Sequence, residues 1–152
     1  MKRHLRNAFM LLGITLAATC AAHAQTPARI VVNVPFDFVV GQQTLPAGTY
    51  NVKQMTGNND KLLLLQSADG HKAQLVLTSP VETGASVEAA QLDFHRYGHM
   101  NFLFRVWTPG AQTGRELRRS PHERTVSREF ARGATTADRA QPQTVSVNGR
   151  LN

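Results

Sequence analysis

Between Ile30 and Val40 every even-numbered residue is apolar (Ile30, Val32, Val34, Phe36, Phe38, Val40), while Asn33 and Asp37 take the other parity. A two-residue period belongs to a strand with one face buried and one wet. Pro35 cannot donate to a ladder, so it marks an edge strand or a bend between two strands. The pattern recurs down the chain between turn signals. In Leu45-Pro46-Ala47-Gly48, proline second and glycine fourth is the order a type I turn prefers, and Tyr50 and Val52 alternate after it. Leu62 to Leu65 is an unbroken apolar run that expects cover on both faces. Asp69-Gly70 reads as a two-residue hairpin turn with positive φ at both positions, and Leu75 and Leu77 alternate beyond it. Ser79 to Ala89 reads as a polar loop, after which Leu92 and Phe94 lead into Arg96-Tyr97-Gly98-His99. The return strand sets Phe102, Phe104 and Val106 against Leu103, Arg105 and Trp107.

Six to seven short strands, with a turn about every dozen residues and no helical period between them, predict a mainly β fold. It is a small antiparallel β-sandwich or barrel, followed by a short C-terminal helix and a polar tail. Parallel α/β folds and their nucleotide-binding crevices are excluded. The expected core is Phe36, Phe38, Tyr50, Leu63, Leu65, Leu75, Leu77, Leu92, Phe94, Phe102, Phe104 and Val106.

Residues 1–24 have the three parts of an export signal: the basic start MKRHLRN, an apolar run from Ala8 to Ala18, and Ala22-His23-Ala24 before Gln25. The run is too short to span a bilayer, so no transmembrane segment is expected, and the location is periplasmic or extracellular. Cys20, the only cysteine, falls inside the signal, and Ala17-Ala18-Thr19 resembles a lipobox poorly. The exported chain then carries no disulfide and no thiolate chemistry.

Charge and composition divide the rest near Pro109. Residues 25–108 hold six cations and six anions with eight of the ten aromatics, whereas residues 109–152 hold eight arginines against four acids, with Phe130 as their aromatic. The expected domains are therefore residues 25–110, an antiparallel β domain, and residues 111–152, a separable arginine-rich segment. Within the latter, Ser120-Pro121-His122-Glu123 supplies an N-cap, a proline at the first helical position and a capping-box acid, which predicts a helix over Pro121 to Arg132 ended by Gly133. Its large apolar residues are Val126 and Phe130, so it must dock or fray. Beyond it, Val145, Val147 and Leu151 could join a sheet.

The stretches Pro35-Phe36-Asp37-Phe38-Val39-Val40-Gly41, Leu45-Pro46-Ala47-Gly48-Thr49-Tyr50, Phe94-His95-Arg96-Tyr97-Gly98 and Val106-Trp107-Thr108-Pro109-Gly110 together resemble a family of small exported bacterial proteins of unknown function. The likeness covers about Ile30 to Pro121. It implies export and a β-rich domain, and assigns no site. Leu-Pro-Ala-Gly-Thr-Tyr is also similar to a turn-and-strand of extracellular β-sandwich modules, in which a tyrosine packs beneath the turn.

Chemistry-bearing residues are sparse. His95 and His99 flank a hairpin tip and are weak metal candidates, with Asp93 on the same strand face as His95, but two ligands without a third at metal spacing do not define a site. Ser67, Ser79 and Ser86 lack activating neighbours in sequence, and there is no Gly-x-Ser-x-Gly turn. No cofactor is implied. Arg124, Arg128 and Arg132 recur every four residues, with Arg115, Arg118 and Arg119 just ahead. Arginine makes bidentate contacts with phosphate and carboxylate, so Arg118, Arg119, Arg124, Arg128 and Arg132 are the five candidate anion-binding residues, for an anionic envelope polymer or lipid head groups. Cytoplasmic nucleic acid is disfavoured by export and by the absence of an evident stacking platform. The expected function is a non-catalytic exported β-domain, a structural or binding module of the cell envelope. The alternative is a hydrolase or metal-dependent enzyme centred on His95 and His99, distinguished by a third ligand or carboxylate in reach of both histidines beside a cleft.

Overall fold

The computed structural model describes residues 29–55, 61–84, 86–133 and 141–152. The expected signal and Cys20 lie outside them. Among the described residues are ten strands and one helix: β1 (Arg29–Val34), β2 (Phe38–Val40), β3 (Gln43–Leu45), β4 (Gly48–Gln54), β5 (Leu62–Ser67), β6 (Ala73–Glu82), β7 (Ala90–Tyr97), β8 (Met100–Trp107), β9 (Thr113–Leu117), α1 (Pro121–Gly133) and β10 (Gln143–Leu151). Neighbours run β8-β7-β10-β1-β4-β5-β6-β9, and β9 pairs back onto β8. Eight strands thus close an antiparallel barrel, which settles the choice between barrel and sandwich. The short β2–β3 hairpin is appended where β2 lies parallel to the start of β8.

Pro35 does separate two strands, since β1 stops at Val34 and β2 starts at Phe38. The bend is pinned from two sides: Asn101 Nδ2 donates to the Asp37 carbonyl at 3.2 Å, and the Asp37 carboxylate accepts from Ala47 N at 2.8 Å. The link at Pro46-Ala47 is a corner at which the chain changes partners, β3 pairing with β2 and β4 with β1 and β5. Tyr50 holds it from beneath, its hydroxyl donating to the Pro46 carbonyl at 2.7 Å.

The barrel interior is filled by side chains from every stave, among them Val32, Val34, Tyr50, Val52, Leu65, Leu92, Phe94 and Val106. Three edge-to-face ring pairs, Phe36–Phe94, Phe38–Phe94 and Phe38–Tyr50, at centroid separations of 5.1–5.4 Å, form its aromatic centre. Apolar side chains inside and mostly polar ones outside reverse the polarity of a lipid-facing barrel. Phe94 is fully enclosed. Phe94→Ala should therefore cost about 3–5 kcal/mol, read from urea melts; a loss below about 1 kcal/mol would show that the interior can collapse onto the gap.

Four expectations are corrected. First, the division at Gly110 cuts through the barrel: β9 pairs with β6 and β8, and β10 is the stave between β1 and β7. These staves look like tail because each needs few large residues, Leu117 on β9 and Val145 with Val147 on β10, the backbone ladder supplying the rest. Second, Leu75 and Leu77 are 49% and 66% exposed, because the inward positions of β6 are Val76 and Thr78. The run Leu62 to Leu65 is correspondingly covered on one face, Leu63 and Leu65 buried and Leu62 and Leu64 half-buried. Third, Ser79 to Glu82 continue β6 opposite Glu116 to Thr113, so the polar loop begins only after Glu82. Fourth, β8 has a bulge: Asp93 pairs with Arg105 and Phe94 with Leu103, leaving Phe104 unmatched. The extra residue reverses the parity of the strand. Leu103 and Val106 consequently join the interior core, and Phe102 joins a second, outer cluster.

The β5–β6 turn also differs in detail. It spans Ala68 to His71, closed by Ser67 N donating to the Lys72 carbonyl at 2.8 Å, and only Gly70 has positive φ. Asp69 shapes it by accepting from Ser67 Oγ and His71 N, which removes the need for a second left-handed residue. The Ser67 hydroxyl, then the His71 amide, hold the Asp69 carboxyl below the ordinary carboxylate range.

Candidate functional site

The outer cluster is where α1 docks. Val126 and Phe130, four apart on the helix, pack against Val39, Tyr97 and Phe102 on the outside of β2, β7 and β8. Phe130 meets Tyr97 edge-on at 5.7 Å, and His122 meets Phe102 at 5.5 Å. The predicted cap forms, Glu123 N donating to Ser120 Oγ at 3.1 Å. The Glu123 carboxylate, however, turns inward to meet the barrel.

There it meets His95. Leu92 and Phe94 point into the barrel, so Asp93, His95 and Tyr97 line its outside. Glu123 Oε1 lies 2.7 Å from His95 Nδ1, with the two side chains only 4% and 13% exposed. An ionised Glu123 requires the proton on Nδ1. The same oxygen accepts from the Tyr97 hydroxyl at 3.4 Å and lies 3.7 Å from Arg119 Nε. A carboxylate withdrawn from water needs such partners, since an unpaired buried charge is strongly destabilising. The His95 ring is fixed further by stacking on Phe104, with centroids 3.6 Å apart and planes 9° apart. The bulge makes that stack possible by turning Phe104 to the outside.

Burial, and after it the charge of Glu123, raises the Tyr97 hydroxyl above its ordinary value of 10.0, against a lowering hydrogen bond from Ser127. Burial also raises Tyr50, helped by the charges of Asp69 and Asp37. Both hydroxyls hold their protons more tightly folded than unfolded, so their contribution is complete below about pH 10 and falls as pH rises through it. Urea melts from pH 8 to 11 should show stability falling by up to about 1.4 kcal/mol per pH unit for each tyrosine. The Tyr50→Phe and Tyr97→Phe chains should each lose part of that slope.

His95 and His99 do not form a pair. His99 is exposed in the turn beyond Tyr97, roughly 10 Å along the hairpin from His95 at strand spacing. Asp93 shares the outer face but is committed elsewhere: it accepts from Trp107 Nε1 at 2.6 Å, Ser146 Oγ at 2.7 Å and Gln91 Nε2 at 2.6 Å. Among the described residues no group of three or more His, Cys, Asp or Glu could hold a metal ion. The distinguishing carboxylate exists, but it reaches His95 alone. Periodicity missed Glu123 because the capping box accounted for it, although its helix face, shared with Val126 and Phe130 at i+3 and i+7, carries the signal.

Of the five candidate arginines the structure brings three together. Arg118 and Arg119 form the link from β9 to α1, and Arg124 lies in the first turn of α1. Leu117, Arg118 and Arg119 divide two neighbouring clefts. One, of about 420 Å³, is also lined by His95, Phe104, Arg105 and Glu116. The other, of about 410 Å³, is lined by Gly41, Gln74, Leu75, Leu77 and Arg124. Arg105 is engaged by Glu116 at 2.7 Å and Arg119 faces Glu123, whereas Arg118 and Arg124 pair with no described carboxylate. Arg128 and Arg132 continue along the exposed side of the helix, outside both clefts.

No helix among the described residues is long and apolar enough to cross a membrane. Compared with family models, curated proteins and solved structures, the chain has no match in any of the three.

Proposed function

We propose that this chain is an exported, non-catalytic β-barrel module of the cell envelope, periplasmic or extracellular, that binds anionic ligands at the β9–α1 junction. The observation that carries the reading is the placement of Arg118 and Arg119 on the divide between two clefts, with Arg124 on the wall of one. Guanidinium groups held over a concave surface suit phosphate, carboxylate or sulfate. The family resemblance fits a shared scaffold, because its motif residues pack on one another: Phe36 on Phe94, Phe38 on Tyr50, and Arg96 over the Phe36 ring at 5.2 Å.

The full chain should be retained on immobilised heparin and eluted by salt, because contacts between exposed charges are screened. Replacing Arg118, Arg119 and Arg124 by Ala should lower the eluting salt far more than replacing Arg128 and Arg132, with melting curves checking that the Arg119–Glu123 contact is dispensable for folding. Equal effects would reduce the site to general positive charge, and no retention of the parent chain would end the reading. One observation favours the hydrolase alternative: Glu123 orients His95 at a cleft that Ser79 also lines. Turnover of simple esters abolished by both His95→Ala and Ser79→Ala would turn the assignment to it.

A further inference from the structure

The second arginine-lined cleft opens onto an apolar surface made by three adjacent staves. On the outside of the barrel, Lys53, Leu64 and Leu75 form one row across β4, β5 and β6. Met55 lies beside Leu62, its N donating to the Leu62 carbonyl at 2.9 Å, and Leu62 pairs with Leu77, which makes a second row. β9 ends with Leu117 opposite Thr78, and just beyond it Arg118 lines the second cleft together with Leu75 and Leu77. Met55, Leu75 and Leu77 are three of the four large apolar side chains that are exposed among the described residues, at 42%, 49% and 66%. Isolated exposed leucines are ordinary, but concentration in one two-row patch marks a surface that meets something apolar.

The rim decides what that is. Lys53 closes one side and Arg118, Arg119 and Arg124 the other, while β4 and β5 carry no carboxylate and β6 carries only Glu82, at its far end. A second copy docked face to face would set cations against cations. An anionic partner with an apolar layer just beneath its charge satisfies both the leucines and the arginines.

We propose that the outer face of β4–β6 docks on an anionic phospholipid bilayer, with Met55, Leu75 and Leu77 entering the interface and the β9–α1 arginines meeting the lipid phosphates. This rests on the anion-binding reading above and adds the apolar half of the ligand, which a soluble polyanion lacks.

The test is co-sedimentation of the full chain with phosphatidylcholine vesicles with and without phosphatidylglycerol, run beside heparin binding. The parent chain binds the phosphatidylglycerol vesicles and not phosphatidylcholine alone. Met55→Ser, outside both arginine-lined clefts, weakens vesicle binding and leaves heparin retention unchanged, while Leu75→Ser with Leu77→Ser, which also line the arginine cleft, lowers vesicle affinity at least about tenfold, a larger loss than on heparin. As a second readout, Leu77→Trp gives blue-shifted emission with anionic vesicles and none with heparin. Heparin binding without vesicle binding, or vesicle binding indifferent to the two serines, overturns the bilayer and leaves the anion site standing. Binding to neither probe removes the anion site and this inference with it. A dimer that the serine substitutions disperse assigns the patch to a second copy instead.

Discussion

Ending the chain after Gly133 should leave a protein without a cooperative melting transition. The deletion removes β10, which pairs with β7 from Gln143 to Gly149 and with β1 from Gly149 to Leu151. At roughly 0.5–1.5 kcal/mol net for each hydrogen bond, the lost ladder alone is comparable to the whole stability of a domain, about 5–15 kcal/mol. Val145 and Val147 leave the core as well. What remains is a slit barrel whose β1 and β7 present unpaired edges, the arrangement that invites aggregation. Circular dichroism melts and gel filtration check this, and a peptide of residues 141–152 added in trans should recover part of the transition. A truncated chain that still melts sharply would mean that β1 and β7 can pair directly. Ending the chain at Gly110 removes β9 as well and should be no milder.

Among the described glycines Gly114 has the least room for a methyl group, and Gly114→Ala should cost about 2–5 kcal/mol from overpacking together with a disturbed buried hydrogen bond. The Trp107 indole lies flat over Gly114, so a Cβ there would fall far inside van der Waals contact with the ring carbons. The ring has little freedom to move aside, because Nε1 is anchored on buried Asp93, which also accepts from Ser146 of β10 and from Gln91. One methyl group therefore disturbs the join between β9 and β8 and the polar cluster linking β7 to β10. Urea melts give the cost, and the emission of Trp107, the only tryptophan, reports whether the indole has swung out. In a Trp107→Leu background the same substitution should cost much less, which is the coupling a double-mutant cycle measures. A cost within about 0.5 kcal/mol, the range of a neutral surface change, would mean that the indole does not rest on the strand.

Much of the barrel was legible residue by residue. Alternation in Ile30 to Val40 marked the inward set of β1 and β2, Pro35 the break between them, and Ser120-Pro121 the start of α1, because each of these signals lies in a few neighbouring residues. The misreadings have one kind of cause. Leu75 and Leu77 alternate as a buried set would, but alternation separates two faces without saying which is inside, and here Val76 and Thr78 took the interior. Phe102, Phe104 and Val106 share a parity that one bulged residue divides, a feature decided by how β8 meets β7.

The candidate site shows the same division. The arginines were visible as a run, yet only the path of the chain from β9 into α1 sets Arg118, Arg119 and Arg124 around one cleft and leaves Arg128 and Arg132 aside. Glu123 was visible as a cap, yet its partner His95 lies 28 residues earlier, on a different element. By itself the sequence determined the strand-rich class, the main turns and the helix start, since these follow from local backbone preference and the two-residue period. Closure into a barrel, the place of β10 between β1 and β7, the burial of Glu123 and the exposure of the leucine face were decided only in the tertiary structure. Each depends on which distant strands become neighbours, and hydrophobic burial, being non-directional, favours apolar contact without selecting the partner that supplies it.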